Sequence, residues 1–255
     1  MIKDNPEVLL ELNTLAMKSR ITRLEALQYE IDKQLNKLNI EAEKGTKKLL
    51  TQTLKNDYYK NVYNISKEKG FLANFSGIDN KTIERVLSYE WSGNNYSGRI
   101  WNNKQQLSKT IKEEITQMVI QGRDSRTIAK RVATRMDTSY KNTVRLVQTE
   151  HSYIMEQANK ITYEDLNIEK YQFLATPSER TCDVCGNLDL KIFNVKDMIS
   201  GKNCSPMHPN CRCTSIIYYD DDDESGTRFA RDKNGKRIEI PSNMTFNEWK
   251  KKYID

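Results

Sequence analysis

All five cysteines of this 255-residue chain lie between Cys182 and Cys213, and His208, one of only two histidines, lies among them. The pattern is Cys182-x-x-Cys185, then Cys204, then His208-Pro209-Asn210-Cys211-Arg212-Cys213. Two close ligand pairs separated by a loop of about twenty residues are how a small fold builds a tetrahedral zinc site. An odd number of crowded cysteines argues for ligation over disulfides in a reducing compartment. The expected ligands are Cys182, Cys185, His208 and Cys211. Cys213 is the alternative fourth ligand, because a C-x-C step can also present its sulfur. Cys204 is expected to be a bystander. Four protein ligands leave no open position for water, so the zinc is expected to be structural, holding together a segment too small for its own core. The competing reading is a set of small buried thiols without metal.

Catalytic patterns are missing around this cluster. A zinc deaminase needs H-x-E before P-C-x-x-C, and no glutamate stands two residues after His208. The zincin pattern H-E-x-x-H is also absent. The acidic run 220–224 reads as a solvated linker rather than a carboxylate-based nuclease site. The chain is therefore expected not to be an enzyme.

Glycine (10) and proline (5) are scarce, which favours long helices. Over residues 6–44, Leu10, Met17, Leu24, Ile31 and Leu38 recur every seven positions and predict an amphipathic helix packed along another helix. Residues 49–67, with Leu50, Leu54, Tyr58 and Val62 on one face, would complete a helical hairpin. Residues 70–100 are broken by glycines, with a short helix over 81–89. Further helices are predicted over 103–121, over 126–135 after a Ser125 cap, and from a Thr138 or Ser139 cap to about 160. Beyond residue 167, Tyr171, Phe173 and Ala175 alternate like a strand, and 190–193 and 212–219 are further strand candidates. Residues 245–253 read as a short C-terminal helix. No stretch approaches the roughly 18–20 apolar residues of a membrane span, and the N-terminus lacks a signal-peptide core.

Formal net charge is +6, and the surplus is local. Residues 101–150 carry 10 basic and 5 acidic side chains. Arg123, Arg126, Lys130, Arg131 and Arg135 are the candidate contacts to double-stranded DNA, which would be bound through phosphate neutralisation without sequence preference. The alternative is an ordinary solvated helix face. Arg145 and Thr149 lie one helical turn apart with Glu150 adjacent, and form either a partner contact or an internal polar network. His151 lies on the apolar stripe Val144, Val147, Ile154, Ala158 and is expected to be a core histidine. Trp91, Tyr96 and Trp101 flank glycine turns and are expected to be anchors rather than base-stacking platforms.

Four pieces of the chain, taken in order, resemble the phage Mu protein F-like head-morphogenesis family of minor capsid proteins. They are Trp91-Ser92-Gly93 with Tyr96-Ser97-Gly98-Arg99-Ile100-Trp101; Gly122-Arg123-Asp124-Ser125 leading into Ile128-Ala129; Arg145-Leu146-Val147-Gln148-Thr149-Glu150; and Thr181-Cys182-x-x-Cys185, Leu188-Asp189 and His208-Pro209-Asn210-Cys211-Arg212-Cys213. The tail from Pro241 to Trp249 resembles the end of such proteins. The resemblance implies a virion protein inside the head near the portal, present in few copies. It further implies portal, major capsid or scaffolding partners, a role in head assembly and DNA packaging or delivery, and the host cytoplasm as the place of assembly.

These readings combine into an α+β chain dominated by helices. It would comprise an N-terminal helical hairpin (1–68), a helical head-morphogenesis domain (69–165), a β-rich Cys/His module (166–219) and an acidic linker with tail (220–255). The rival functions are a cytosolic DNA-binding or packaging accessory factor and, more remotely, a zinc hydrolase or nuclease.

Overall fold

The computed structural model describes residues 6–70, 75–121, 125–220 and 226–254. Arg123 and most of the acidic run lie outside these residues. The architecture is α+β and mainly helical, as the sequence predicts. The order is α1 (Pro6–Lys69), α2 (Asn80–Ser88), α3 (Tyr96–Ile120), α4 (Ser125–Asp165), β1 (Lys170–Leu174), α5 (Asp183–Leu188), β2 (Ile192–Asn194), β3 (Thr214–Ile217), β4 (Thr227–Arg231), β5 (Arg237–Pro241) and α6 (Phe246–Tyr253). Two compact units are formed, one by residues 1–45 and 97–143 and the other by 46–96 and 144–255.

The expected N-terminal hairpin is instead one 64-residue helix. Gly45, the only candidate for a break, costs a helix about 1 kcal/mol relative to alanine, too little to open a turn in a stretch that has packing on both sides of it. Within α1, proline occurs only at Pro6, in the first turn, where its missing N–H is no loss. The helix ends at Gly70, which takes a left-handed φ of 70°.

In the first unit, α1 finds its antiparallel partner in α3. Gln28 donates to Thr116 (3.2 Å), the Asp32 carboxylate takes Ser108 and Lys112, and Glu43 takes Ser97 and the Trp101 indole (3.0 Å). Ascending positions on α1 meet descending ones on α3. Lys112 and then Ser108 hold the Asp32 carboxyl below its ordinary range. Leu35, Ile100, Ile111 and Ile115 are buried, whereas Leu10, Met17, Ile21 and Leu27 on the first turns of α1 are exposed.

The helix α4 is also continuous where two helices were expected. Thr134, Thr138 and Thr143 do not cap; each hydroxyl donates to the carbonyl four residues back (3.0–3.1 Å), a bond that leaves the helix intact.

In the second unit, α1 buries Leu50, Leu54, Tyr58, Val62 and Ile65 at helical spacing. Asn61 of α1 donates to Asn159 of α4 (2.8 Å). Trp91 stacks on Tyr153 with ring centroids 5.4 Å apart, the anchor role expected of it. The sheet is antiparallel in the order β2-β1-β3, with Tyr171 opposite Phe193 and Ile217, and Phe173 opposite Ser215. Tyr171 and Phe173 share one fully buried face of β1. Tyr171 joins a core with Ile65, Tyr163 and Met198; Phe173 joins a second core with Cys185 and Cys211.

Glu156 of α4 lies fully inside this unit. It accepts from the Ser215 amide (3.0 Å), the Ser215 hydroxyl (2.5 Å) and the Cys204 thiol (3.6 Å). Burial raises its pKa above the ordinary 4.5, against the hydrogen bonds from Ser215.

The tail beyond the acidic run is folded. β4 and β5 form a hairpin whose Ala230 and Ile240 pack with Phe246 and Trp249 of α6. Thr245 caps α6 in a capping box with Glu248. A buried ion pair fastens this tail to the Cys/His module. The Asp189 carboxylate receives both terminal Arg228 guanidinium nitrogens (2.9 and 2.5 Å), the Ala175 amide (2.9 Å) and the Phe246 amide at the start of α6 (2.8 Å).

Two outcomes are expected. Asp189→Ala strands the Arg228 charge and costs about 3–5 kcal/mol in urea unfolding. A loss under 1 kcal/mol would mean the pair is not what holds the tail. For Glu156, the folded pKa exceeds the unfolded one, so between those two values the folded chain holds a proton the unfolded chain releases, and stability falls as pH rises through that interval. Glu156→Gln keeps an acceptor oxygen without the charge. Urea midpoints of wild type and variant should therefore diverge in the variant's favour as pH rises from about 4.5, the ordinary Glu value; parallel midpoints would refute the buried-charge account.

Candidate metal centre

The Cys182-x-x-Cys185 pair is delivered by the N-terminus of α5. Cys182 is its N-cap, and its sulfur accepts from the Cys185 amide at 3.5 Å. The second pair arrives on the loop before β3. There the Cys211 amide donates to the His208 carbonyl (3.1 Å), and Asn210 takes a left-handed φ of 62°, turning His208 and Cys211 to the same side.

The Cys182 sulfur lies 3.3 Å from the His208 Nε2, and the Cys185 sulfur lies 3.5 Å from it. The Cys185 and Cys211 sulfurs are 3.8 Å apart. Zinc–sulfur bonds of about 2.3 Å and zinc–nitrogen bonds of about 2.0–2.1 Å give tetrahedral edges of about 3.8 Å between sulfurs and about 3.5 Å from sulfur to nitrogen. The spacing of the side-chain donors thus fits a zinc ion. His208 fits in a second way. Its Nδ1 meets the Pro209 carbonyl at 2.9 Å, so with the proton on Nδ1 the Nε2 lone pair faces the sulfurs, the usual support of a metal-bound imidazole.

Donor atoms converge in two triads that share Cys185: Cys182, Cys185 and His208, and Cys185, Cys211 and Cys213. All five sequence-selected candidates are therefore together, and Cys213 stays a neighbour of Cys211 in the fourth position. Hydrogen bonds from Cys185 and Cys213 hold the Cys211 thiol far below its ordinary range, and the bond to Cys211 pushes Cys185 up. A divalent cation is what stabilises several thiolates side by side.

Cys204 is elsewhere, as expected. It is buried against Glu156, and burial, then the Glu156 charge, keeps it a thiol. Thr149 and Glu150, offered as a partner contact, are turned inward. The Thr149 hydroxyl donates to the Arg145 carbonyl (2.8 Å) and accepts from the Asn210 amide (3.2 Å), while Glu150 accepts from the Trp91 indole (3.4 Å). Thr149 thus positions the turn that carries His208 and Cys211. The sequence reading allowed for an internal polar network here, but not for its contact with the Asn210 amide. Arg145 is exposed and His151 half-buried on α4. Of the candidate DNA contacts, Arg126 and Lys130 are exposed, whereas Arg135 (2.7 Å) and Arg131 (3.5 Å) pair with Glu114 of α3.

Residues 109–216 match the family model described as Phage Mu protein F like protein. Over that stretch the chain is phage Mu protein F-like. The Mu F-like stretch runs from α3 through β3 and contains all five cysteines and both histidines. Among curated proteins, the chain is similar to NAD(+)--arginine ADP-ribosyltransferase EFV of Enterococcus faecalis, with 22% identity over 244 residues, 90% of this chain and 49% of the relative. The chain thus spans about half the length of that relative. No solved structure gives a significant match.

Purified chain is expected to hold about one zinc per molecule by atomic emission. Cys182→Ser and Cys185→Ser should each release it and lower the melting temperature, whereas Cys204→Ser should keep the metal. Full zinc in both knuckle variants would reject the centre.

Proposed function

We propose that this chain is a structural minor head protein of a tailed phage, located in the virion, where it supports head assembly and DNA packaging or delivery. The observation that carries the reading is the match of residues 109–216 to the Mu F-like family, with the Cys/His cluster lying inside the matched stretch. Portal protein and the inner capsid or scaffold are the proposed partners.

The metal site supports a structural role. Cys182, Cys185, His208 and Cys211 would hold zinc, which when bound neutralises the thiolates and ties α5 to the loop before β3. The donors saturate a tetrahedral ion, leaving no place for a substrate or an activated water. We therefore read the chain as non-enzymatic. The transferase activity named for the Enterococcus faecalis relative belongs to a protein of which this chain spans about half, and is not proposed here.

Quantitative mass spectrometry of gradient-purified particles from the encoding phage is the test. A few copies per particle are expected. Abundant protein in the lysate with none in particles would overturn the virion role in favour of a cytosolic packaging factor.

A further inference from the structure

Three segments distant in sequence meet in a polar cleft of about 440 Å³ on the second unit. They are the turn 178–180 just before the first metal knuckle, Arg212 between Cys211 and Cys213, and the tip 231–235 of the β4–β5 hairpin. The cleft's cations are Arg180, Arg212, Arg231 and Lys233; its anions are Glu179 and Asp232. The Asp232 carboxylate is engaged by the amides of Asn234 (2.9 Å) and Lys236 (2.8 Å), which close the hairpin turn. The Arg231 amide donates to the Pro177 carbonyl (2.9 Å) and its guanidinium to the Gly235 carbonyl (2.7 Å), fixing the hairpin tip against the 178–180 turn. Among the described residues, none of the four cations makes an ion pair. The basic face of α4 differs, because there Glu114 takes Arg131 and Arg135.

We propose that this cleft grips the phosphodiester backbone of nucleic acid without reading its sequence. Guanidinium forks match phosphate oxygens in pairs, and three arginines set on a folded frame can engage successive phosphates at little cost in ordering. Nothing aliphatic or aromatic lines the cleft, so it offers no platform for stacking bases and no wedge for a lipid surface. The choice of nucleic acid over an acidic protein rests on the head-protein reading, since DNA is the polyanion a head encloses. The two metal knuckles bring Arg180 and Arg212 into place: Arg180 precedes Cys182 by two residues, and Arg212 lies between two cysteines of the cluster.

The experiment is fluorescence anisotropy of a mixed-sequence duplex DNA with the full, zinc-loaded chain, titrated from 50 to 300 mM potassium chloride in steps. Wild type should bind with micromolar affinity at low salt and a steep salt slope. Arg180→Ala/Arg212→Ala/Arg231→Ala should flatten the slope of log K against log salt by about two to three, at about 0.9 per lost phosphate contact. Because Arg231 also braces the hairpin, the double variant Arg180→Ala/Arg212→Ala, which spares that brace, should flatten it by about two. Arg180→Lys/Arg212→Lys should restore most of the slope. An unchanged slope in both alanine variants, no binding by wild type at 50 mM salt, or loss of the slope only on Arg126→Ala/Lys130→Ala/Arg131→Ala would each overturn the cleft. Equal displacement of the DNA by polyglutamate of matched charge would overturn the nucleic-acid choice. Each of these failures leaves the copy number in particles, and hence the head-protein reading, untouched.

Discussion

Helix α4 is joined to the Cys/His module through buried polar bonds as well as carbon packing, and the module's geometry depends on them. One face of the helix presents Thr149 to the Asn210 amide, Glu156 to Ser215 and Cys204, Gln157 to Ser200 (3.3 Å) and Lys160 to the Met198 carbonyl (3.0 Å). Apolar contacts alone tolerate sliding, whereas directional bonds to backbone groups set a register. The loop that brings His208 and Cys211 to α5 is held in that register from behind. The 3.3–3.8 Å spacing of the donor atoms is thus produced jointly by the knuckle spacing in the sequence and by a helix more than forty residues upstream.

What could be read from the sequence follows the range of the interactions. A metal site demands donors at fixed short spacing, so Cys182, Cys185, His208, Cys211 and Cys213 stand out without any structure, and so does the exclusion of Cys204. The alternation around Tyr171 and Phe173 is equally local. The errors came where local signals compete with packing. Gly45 and Thr138 look like helix boundaries, yet neither disfavours the helix by more than packing returns. The heptad stripe on α1 signals the helix but not its packed face: Leu10, Met17 and Leu38 are exposed, and the bonds to α3 come from Gln28, Asp32 and Glu43. The β4–β5 hairpin did carry a signal, Asn234-Gly235 between two short alternating runs, which the neighbouring acidic run obscured. The Asp189–Arg228 pair had none, because partners 39 residues apart in unrelated motifs leave no pattern in one sequence.

Charge shows the same contrast. The cationic surplus counted along the chain points to residues 101–150, but counting ignores pairing, and Glu114 takes up two of those arginines. The region after residue 150 is nearly neutral by count, yet folding gathers Arg180, Arg212, Arg231 and Lys233 into one cleft and ties Asp232 to the backbone. Local electric field, not regional composition, decides where a polyanion settles.

Gly186 sits in the middle of α5, one residue past Cys185, with the ring of Phe246 directly over it. A methyl group placed there would come within 2.2 Å of that ring. The knuckle helix and the last helix of the chain therefore touch almost backbone to ring, with no side chain between them to absorb a displacement. Any side chain at position 186 would have to push the Cys182–Cys185 segment and α6 apart, so the absence of a Cβ there is what lets the last helix seat directly on the backbone of the thiol-bearing turn.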